Sequence, residues 1–279
     1  MTRSRTVVLA AAGFLAVASA VALGLLVAPR PVRYEVPVVL REGWTMVEDA
    51  AALEAAGVVS AADFLAACTD PLLVRMLGIP EGDAEGYLFP DTYRFRIPTP
   101  AREVVERLVR NYHARVGPLL EARRAAVVGL GRTLGTGGER ALIILASMVE
   151  AEAAVDAERP RIAAVMWNRL TGKDPQVSRL QVDPTAVYGC LRLPWLDSCR
   201  GRRGRAPTRG MLDDAANPYN TYRHDGLPPG PIGNPGLASI RAVLDRPVTD
   251  ELFYVARGDG THVFSKTYAE HQQAVQDRM

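Results

Sequence analysis

Apolar and polar positions alternate along the chain with changing period, and the changes predict a series of short elements. Residues 7–28 are one uninterrupted apolar run. Residues 34–40, Tyr-Glu-Val-Pro-Val-Val-Leu, then alternate as a strand does. Thr45 stands where an N-cap would open a helix over 46–56 that Gly57 stops, and Ser60 caps a second through Ala67. Residues 85–95, EGYLFPDTYRF, read as a strand with a turn, in which aromatic rings alternate around Pro90 and Asp91. An amphipathic helix follows over 101–116, then a glycine-rich loop over 129–138. Residues 141–149, ALIILASMV, are apolar on every side, as a helix inside a core is. Residues 179–185 are polar and turn-like. The stretches 217–222 and 226–236 hold too much Pro and Gly for regular structure, yet interleaved Tyr, Asn and Ile point to a rigid wall rather than a linker. A short helix over 237–244, a hairpin of 252–257 and 261–265 around Gly258-Asp259-Gly260, and a last helix over 268–276 complete an α+β pattern.

The opening apolar run is long enough for a membrane. About 22 residues at about 1.5 Å each reach roughly 33 Å, the depth of a bilayer's hydrocarbon. Residues 7–28 are therefore expected to be a single transmembrane anchor, with residues 1–6 and their Arg3 and Arg5 in the cytoplasm. Arg30 and Arg33 weaken that asymmetry. A cleaved signal peptide is the competing reading, because Ala18-Ser19-Ala20 has the small-x-small form, but cleavage there would leave a greasy mature terminus. With the anchor retained, everything after Pro31 is expected to lie outside the cytoplasmic membrane, as a single-pass protein.

Composition narrows the function classes. A formal net charge of +2 gives no basis for nucleic-acid binding, which asks for a clustered basic face. The four histidines are scattered and no His or Cys spacing suits zinc, so neither metal nor cofactor is expected. Cys190 and Cys199 bracket a short loop and are able to pair in an oxidising space, leaving Cys68 over. The Arg-rich stretch 192–209 reads as an excursion from the body of the fold.

The candidate chemistry sits where the apolar helix ends. Glu150 follows the run directly, and Glu152 comes two residues later on another face. Burial disfavours a carboxylate, so an acid at the edge of a core is a candidate proton donor near neutrality. A helix-end Glu paired with Arg159 or Arg161 is the plain alternative.

Several stretches together resemble the YceG-like family, the membrane-anchored endolytic murein transglycosylases: EGYLFPDTYRF, LASMVEAEA, ERPRIAAVMWNRL, LQVDPTAVYG, NPYNTY, GLPPGPIGNPG and FYVARGDGTHVF. They occur in order over roughly two-thirds of the chain. The resemblance implies a small LysM-like subdomain over 34–80 and a larger mixed α/β catalytic domain over 85–279. It also implies a lyase that cuts the β-1,4 bond between N-acetylmuramic acid and N-acetylglucosamine within peptidoglycan strands, leaving 1,6-anhydro ends and terminating strand growth. Peptidoglycan is then the partner, with peptidoglycan synthases in the membrane beside it. The family's acid maps to Glu150. Glu152 is second choice for that role. Glu85, Tyr87, Gln181, Asp183, Thr185, Tyr188, Asn220, Thr221 and Tyr222 are expected to bind substrate. Two other readings stay open: a non-catalytic peptidoglycan-binding scaffold, and a two-carboxylate muramidase using Glu150 with Asp183 or Glu85.

Overall fold

The computed structural model describes residues 34–174, 176–201, 204 and 206–277. The expected anchor, 7–28, lies outside them, as do Arg202, Arg203 and Arg205 of the Arg-rich stretch. Residues up to Glu35 form one unit, of which only Tyr34 and Glu35 are described, and Val36–Met279 forms the other. Among the described residues no helix is long and apolar enough to cross a membrane.

In chain order the elements are β1 (Glu35–Val39), α1 (Met46–Ala55), α2 (Ala61–Cys68), α3 (Pro71–Met76), β2 (Thr92–Arg96), α4 (Ala101–Ala122) and α5 (Arg124–Leu134). There follow α6 (Gly138–Glu152), α7 (Arg159–Leu170), α8 (Asp183–Arg192), α9 (Arg209–Asp213), α10 (Leu237–Leu244), β3 (Phe253–Ala256), β4 (His262–Ser265) and α11 (Tyr268–Gln276). About half of the described residues are helical, and the strands form two separate two-stranded sheets, β1 with β2 and β3 with β4. The α+β pattern of the sequence is the pattern of the molecule.

The core is built on α6. Every residue from Ala141 to Val149 is buried, and α5, α7, α8 and α10 pack around the helix. A helix apolar on all sides has to be central, since any exposed face would leave hydrocarbon in water. Thr45 caps α1 with a full capping box, its hydroxyl accepting from Glu48 N–H while the Glu48 carboxylate takes Thr45 N–H. Ser60 caps α2 as its type predicts.

The glycine-rich stretch departs from expectation. Helix α5 runs through Gly129 and Gly131 to Leu134, and only then does Gly135, at φ +68°, end it. Gly131 is needed for contact rather than for a turn: a Cβ there would stand 2.7 Å from Gly138 N and Thr136 O. Helix α4 likewise continues past 116 to Ala122, with Val116 still buried. The expected strand over 85–95 is shorter, Thr92–Arg96 alone being extended.

The Pro/Gly-rich segment is a wall fixed at both ends. Asn234 donates to Trp44 O and to Asp49 Oδ2, each over 3.0 Å, and accepts from Gly86 N–H at 2.8 Å and Leu88 N–H at 3.2 Å. Ile232 N–H is taken by Ser147 Oγ of α6 at 3.1 Å. One buried amide side chain thus ties the entry to α1, the 84–88 turn and the Pro/Gly loop together. The loop's backbone polar groups are satisfied without regular structure. Cys190 and Cys199 are bonded, and they form a small satellite core with Ala186 and Met211. Cys68 is free and buried.

Candidate active site

Helix α6 stops because Ala153 turns extended, at φ −82° and ψ 113°. Its last residue, Glu152, is packed round on most sides, with its carboxyl at the head of a cleft of about 360 Å³. Strand β3 supplies the opposite wall. In the hairpin register Tyr254 faces Phe264 and Ala256 faces His262, so these four side chains share one face. From that face the Tyr254 hydroxyl donates to Glu152 Oε2 over 2.8 Å. Burial pushes the Glu152 carboxyl up from its ordinary value, and the charge of Asp183 adds to this. The Tyr254 bond and the nearby His262 and Arg169 pull it back only in part. Tyr254 is raised well above the phenolic range by its own burial and by Glu152.

The floor comes from the chain between α7 and α8. Arg169, nearly buried in α7, donates Nε to Leu252 O at 2.6 Å and Nη1 to Leu180 O at 2.7 Å, so it joins the hairpin to the floor. Burial lowers its pKa below the usual guanidinium value. Gln181 sits at φ +53°, a left-handed backbone that a non-glycine residue holds only when its surroundings insist. Here Gln181 N–H bonds to Thr221 O at 3.2 Å and Val182 N–H to Thr221 Oγ1 at 2.9 Å. Asp183 opens α8 and accepts from the Tyr222 hydroxyl over 2.5 Å. His262, with Nδ1 2.7 Å from Glu158 Oε2, and His271, stacked on Phe253 with ring centroids 5.2 Å apart, close the cleft.

Glu150, the acid that the resemblance implies, stands at a second cleft of about 560 Å³, which it lines with Glu42, Thr45 and Tyr188. Its Oε1 accepts from Arg159 Nη1 at 3.0 Å, and its Oε2 takes Gly236 N–H at 3.0 Å. The pair is buried, 9 % of the Arg159 side chain and 6 % of the Glu150 side chain remaining exposed. Both oxygens therefore hold α6 to α7 and to the Pro/Gly loop, in the ion pair that was the plain alternative.

Of the expected binding residues, the fold brings Gln181, Asp183 and Tyr222 to the cleft with Glu152. Tyr188 lines the second cleft with Glu150, and the others line neither cleft. Glu85 is fully buried, accepting from Met46 N–H at 2.9 Å and the Tyr188 hydroxyl at 3.0 Å. Its carboxyl is driven well above the ordinary range by that burial, and it is out of reach of a muramidase mechanism. Tyr87 is buried at the edge of the Tyr112 ring. Asn220 donates to the carbonyls of Met211, Leu212 and Asp214. Thr185 and Thr221 bond to each other at 2.9 Å beneath the floor. Arg169, Tyr254, His262 and His271 were missed as site residues. The signal for two of them was present, because the hairpin alternation puts positions 254 and 262 on one face.

The sequence matches the YceG-like family over residues 16–277. Among curated proteins it is similar to the endolytic murein transglycosylase of Bacillus subtilis (strain 168), 34% identical over 193 residues, which cover 68% of this chain and 46% of that protein. It is also similar to the endolytic murein transglycosylase of Streptococcus pneumoniae serotype 2, 27% identical over 218 residues, covering 75% of this chain and 34% of the other. The chain thus spans between about a third and a half of the length of these relatives. The crystal structure of a YceG-like protein from Listeria monocytogenes superposes with a TM-score of 0.70 at 28% identity, over 85% of this chain and 75% of that one. With the match running through α6, the floor of the cleft and the hairpin alike, the chain belongs to the YceG-like family.

Proposed function

We propose that this protein is an endolytic lytic transglycosylase of peptidoglycan, in which Glu152 is the acid. One observation carries the reading: a carboxyl at the head of a cleft, raised by burial and held by the Tyr254 hydroxyl. Such a group keeps its proton to higher pH than an ordinary carboxyl and gives it to the glycosidic oxygen as the bond to the anomeric carbon breaks. The sugar's acetamide oxygen closes on that carbon and spreads its positive charge. The C6 hydroxyl then displaces the acetamide and loses its proton to the Glu152 carboxylate, restoring the acid. No water is consumed, so one carboxyl suffices where a hydrolase needs two. The names of the Bacillus and Streptococcus relatives support the substrate and the internal position of the cut.

The finer parts of the reading rest on the sequence. Residues 7–28 anchor the protein in the cytoplasmic membrane with the catalytic part, 85–279, outside. Residues 34–80 are a LysM-like glycan-binding subdomain. The enzyme ends nascent strands beside the peptidoglycan synthases that extend them. Fractionation tests the anchor: the mature protein should remain with membranes, and a soluble form beginning near Val21 would restore the signal-peptide reading.

A second reading is a muramidase, favoured by one fact: Asp183 lines the same cleft as Glu152 and would be the second carboxylate. Digestion of purified glycan strands separates the two by mass. The lyase gives 1,6-anhydro ends, each fragment one water lighter than its hydrolytic counterpart, and the muramidase gives reducing ends.

A further inference from the structure

The lyase reading leaves one well-built group of the cleft without a task. Glu158, in the 3-10 turn Asp156–Glu158, spends both carboxylate oxygens on a single residue. Its Oε1 accepts the backbone N–H of His262 at 3.0 Å and its Oε2 meets His262 Nδ1 at 2.7 Å. The His262 side chain is only 9 % exposed, yet it lines the same cleft as Glu152. Its Nε2 makes no hydrogen bond among the described residues.

The chemistry of the pair fixes what Nε2 offers. Burial pushes Glu158 up, but its bonds from His262 and the charge of Arg161 outweigh this and hold it below its ordinary value, so it is a carboxylate. A carboxylate only accepts, so Nδ1 carries the hydrogen, and in the neutral form of the ring Nε2 is a lone-pair acceptor. Beside the imidazole lie an aromatic ring and a methyl side chain. The Tyr254 ring stands edge-on to the imidazole at 5.3 Å, and Ala256 is its cross-strand partner. An acceptor beside the Ala256 methyl and the Tyr254 ring complements a secondary amide that carries a methyl group.

We propose that His262, oriented by Glu158, recognises the N-acetyl group of the sugar whose bond is cut, its Nε2 accepting the acetamide N–H. The inference rests on the lyase reading and deepens it. As the acetamide oxygen bonds to the anomeric carbon, positive charge spreads onto the nitrogen and its N–H becomes a stronger donor. The bond to His262 tightens at that moment, and no proton need leave the nitrogen. When the C6 oxygen displaces the acetamide, the electron pair returns to the amide and the hydroxyl's proton goes to Glu152. His262 therefore selects N-acylated sugars and holds the acetamide where it can attack, which favours the transition state over the bound substrate.

Binding tests this without turnover. In the full chain carrying Glu152→Gln, dissociation constants are measured for N-acetylated glycan fragments and for the same fragments chemically de-N-acetylated. The N-acetylated form should bind about three- to tenfold more tightly, the worth of a well-made neutral hydrogen bond. Adding His262→Gln should abolish the preference, and adding Glu158→Gln should reduce it, because an amide no longer dictates the tautomer. A preference that survives both changes overturns the proposal, as does one that survives them and is lost in Asp183→Asn. Should His262→Gln fail to fold by circular dichroism, Glu158→Gln decides alone: an unchanged preference overturns. These outcomes leave the lyase reading standing, whereas reducing ends released by the wild type would sink that reading by itself.

Discussion

Tyr254 and Glu152, 102 residues apart in sequence, meet over 2.8 Å, the phenol donating and the carboxyl accepting. The bond favours the ionised carboxylate and so restrains the upward pull of burial on Glu152. Replacing Tyr254 by Phe removes the restraint and leaves the ring's packing. The proton should then stay on Glu152 to higher pH, and the alkaline limb of the rate profile should move up. The rate at neutral pH should fall about tenfold, through lost positioning. An unmoved alkaline limb would show that the proton donor is another group.

The raised Glu152 also makes a statement about stability, with a definite sign. A carboxyl whose folded pKa lies above its ordinary value of 4.5 costs nothing while both states are protonated. The cost grows as pH rises from there through the folded value, because the unfolded chain releases its proton first. Glu152→Gln, which cannot ionise, should therefore stabilise the fold at pH 8 and make little difference near pH 4. Urea unfolding at the two pH values checks this. A stabilisation that is larger at pH 4 would contradict it.

Removing the Glu150 side chain should destabilise the fold. Its partner Arg159 also binds Ser239 Oγ at 2.6 Å and Asp156 Oδ1 at 2.9 Å, a largely buried network between α6, α7 and α10. Removing the carboxylate with Glu150→Ala leaves a guanidinium short of its counter-charge and should cost about 3 kcal/mol. Denaturant unfolding would show this as a lower midpoint with the slope unchanged. The folded fraction should still make product.

Much of this was legible in the sequence. The caps Thr45 and Ser60, the all-apolar helix and the Gly-Asp-Gly hairpin are local signals, carried by residue type and spacing. The end of α6 was legible as the place for an acid, and so was the fact that Glu150 and Glu152 leave the helix on different faces. Which cleft each of them meets was not. That is decided by Arg159 on one side and Tyr254 on the other, nine and 102 residues away respectively, and helical spacing says nothing about either. The same limit applies to Glu85, Thr185 and Asn220, whose bonds run to Met46 and Tyr188, to Thr221, and to the carbonyls of Met211, Leu212 and Asp214. Polar residues in a loop look alike in sequence whether they face a ligand or the loop's own carbonyls. Gly131 misled for another reason: its close contact with Gly138 outweighed its poor helix propensity.

The disulfide closes a short loop, nine residues separating Cys190 from Cys199. Constraint of so small a loop in the unfolded chain is worth about 2–3 kcal/mol. Cys190→Ser with Cys199→Ser should lower stability by that amount, as read by urea unfolding, and reductant should then have no further effect on the variant. Equal stability of the two proteins under oxidising conditions would contradict it.

The central claim is that the proton comes from Glu152, and a paired comparison tests it most directly. Wild type, Glu152→Gln and Glu150→Gln are each incubated with purified glycan strands, and the initial rate of anhydro-end formation is measured by mass spectrometry per folded molecule. Glu152→Gln should fall by at least about 10²-fold, the low end for a lost general acid. Glu150→Gln should stay within a few-fold of wild type once its lower stability is allowed for. Full activity in Glu152→Gln with loss in Glu150→Gln would contradict the account and return the acid to Glu150.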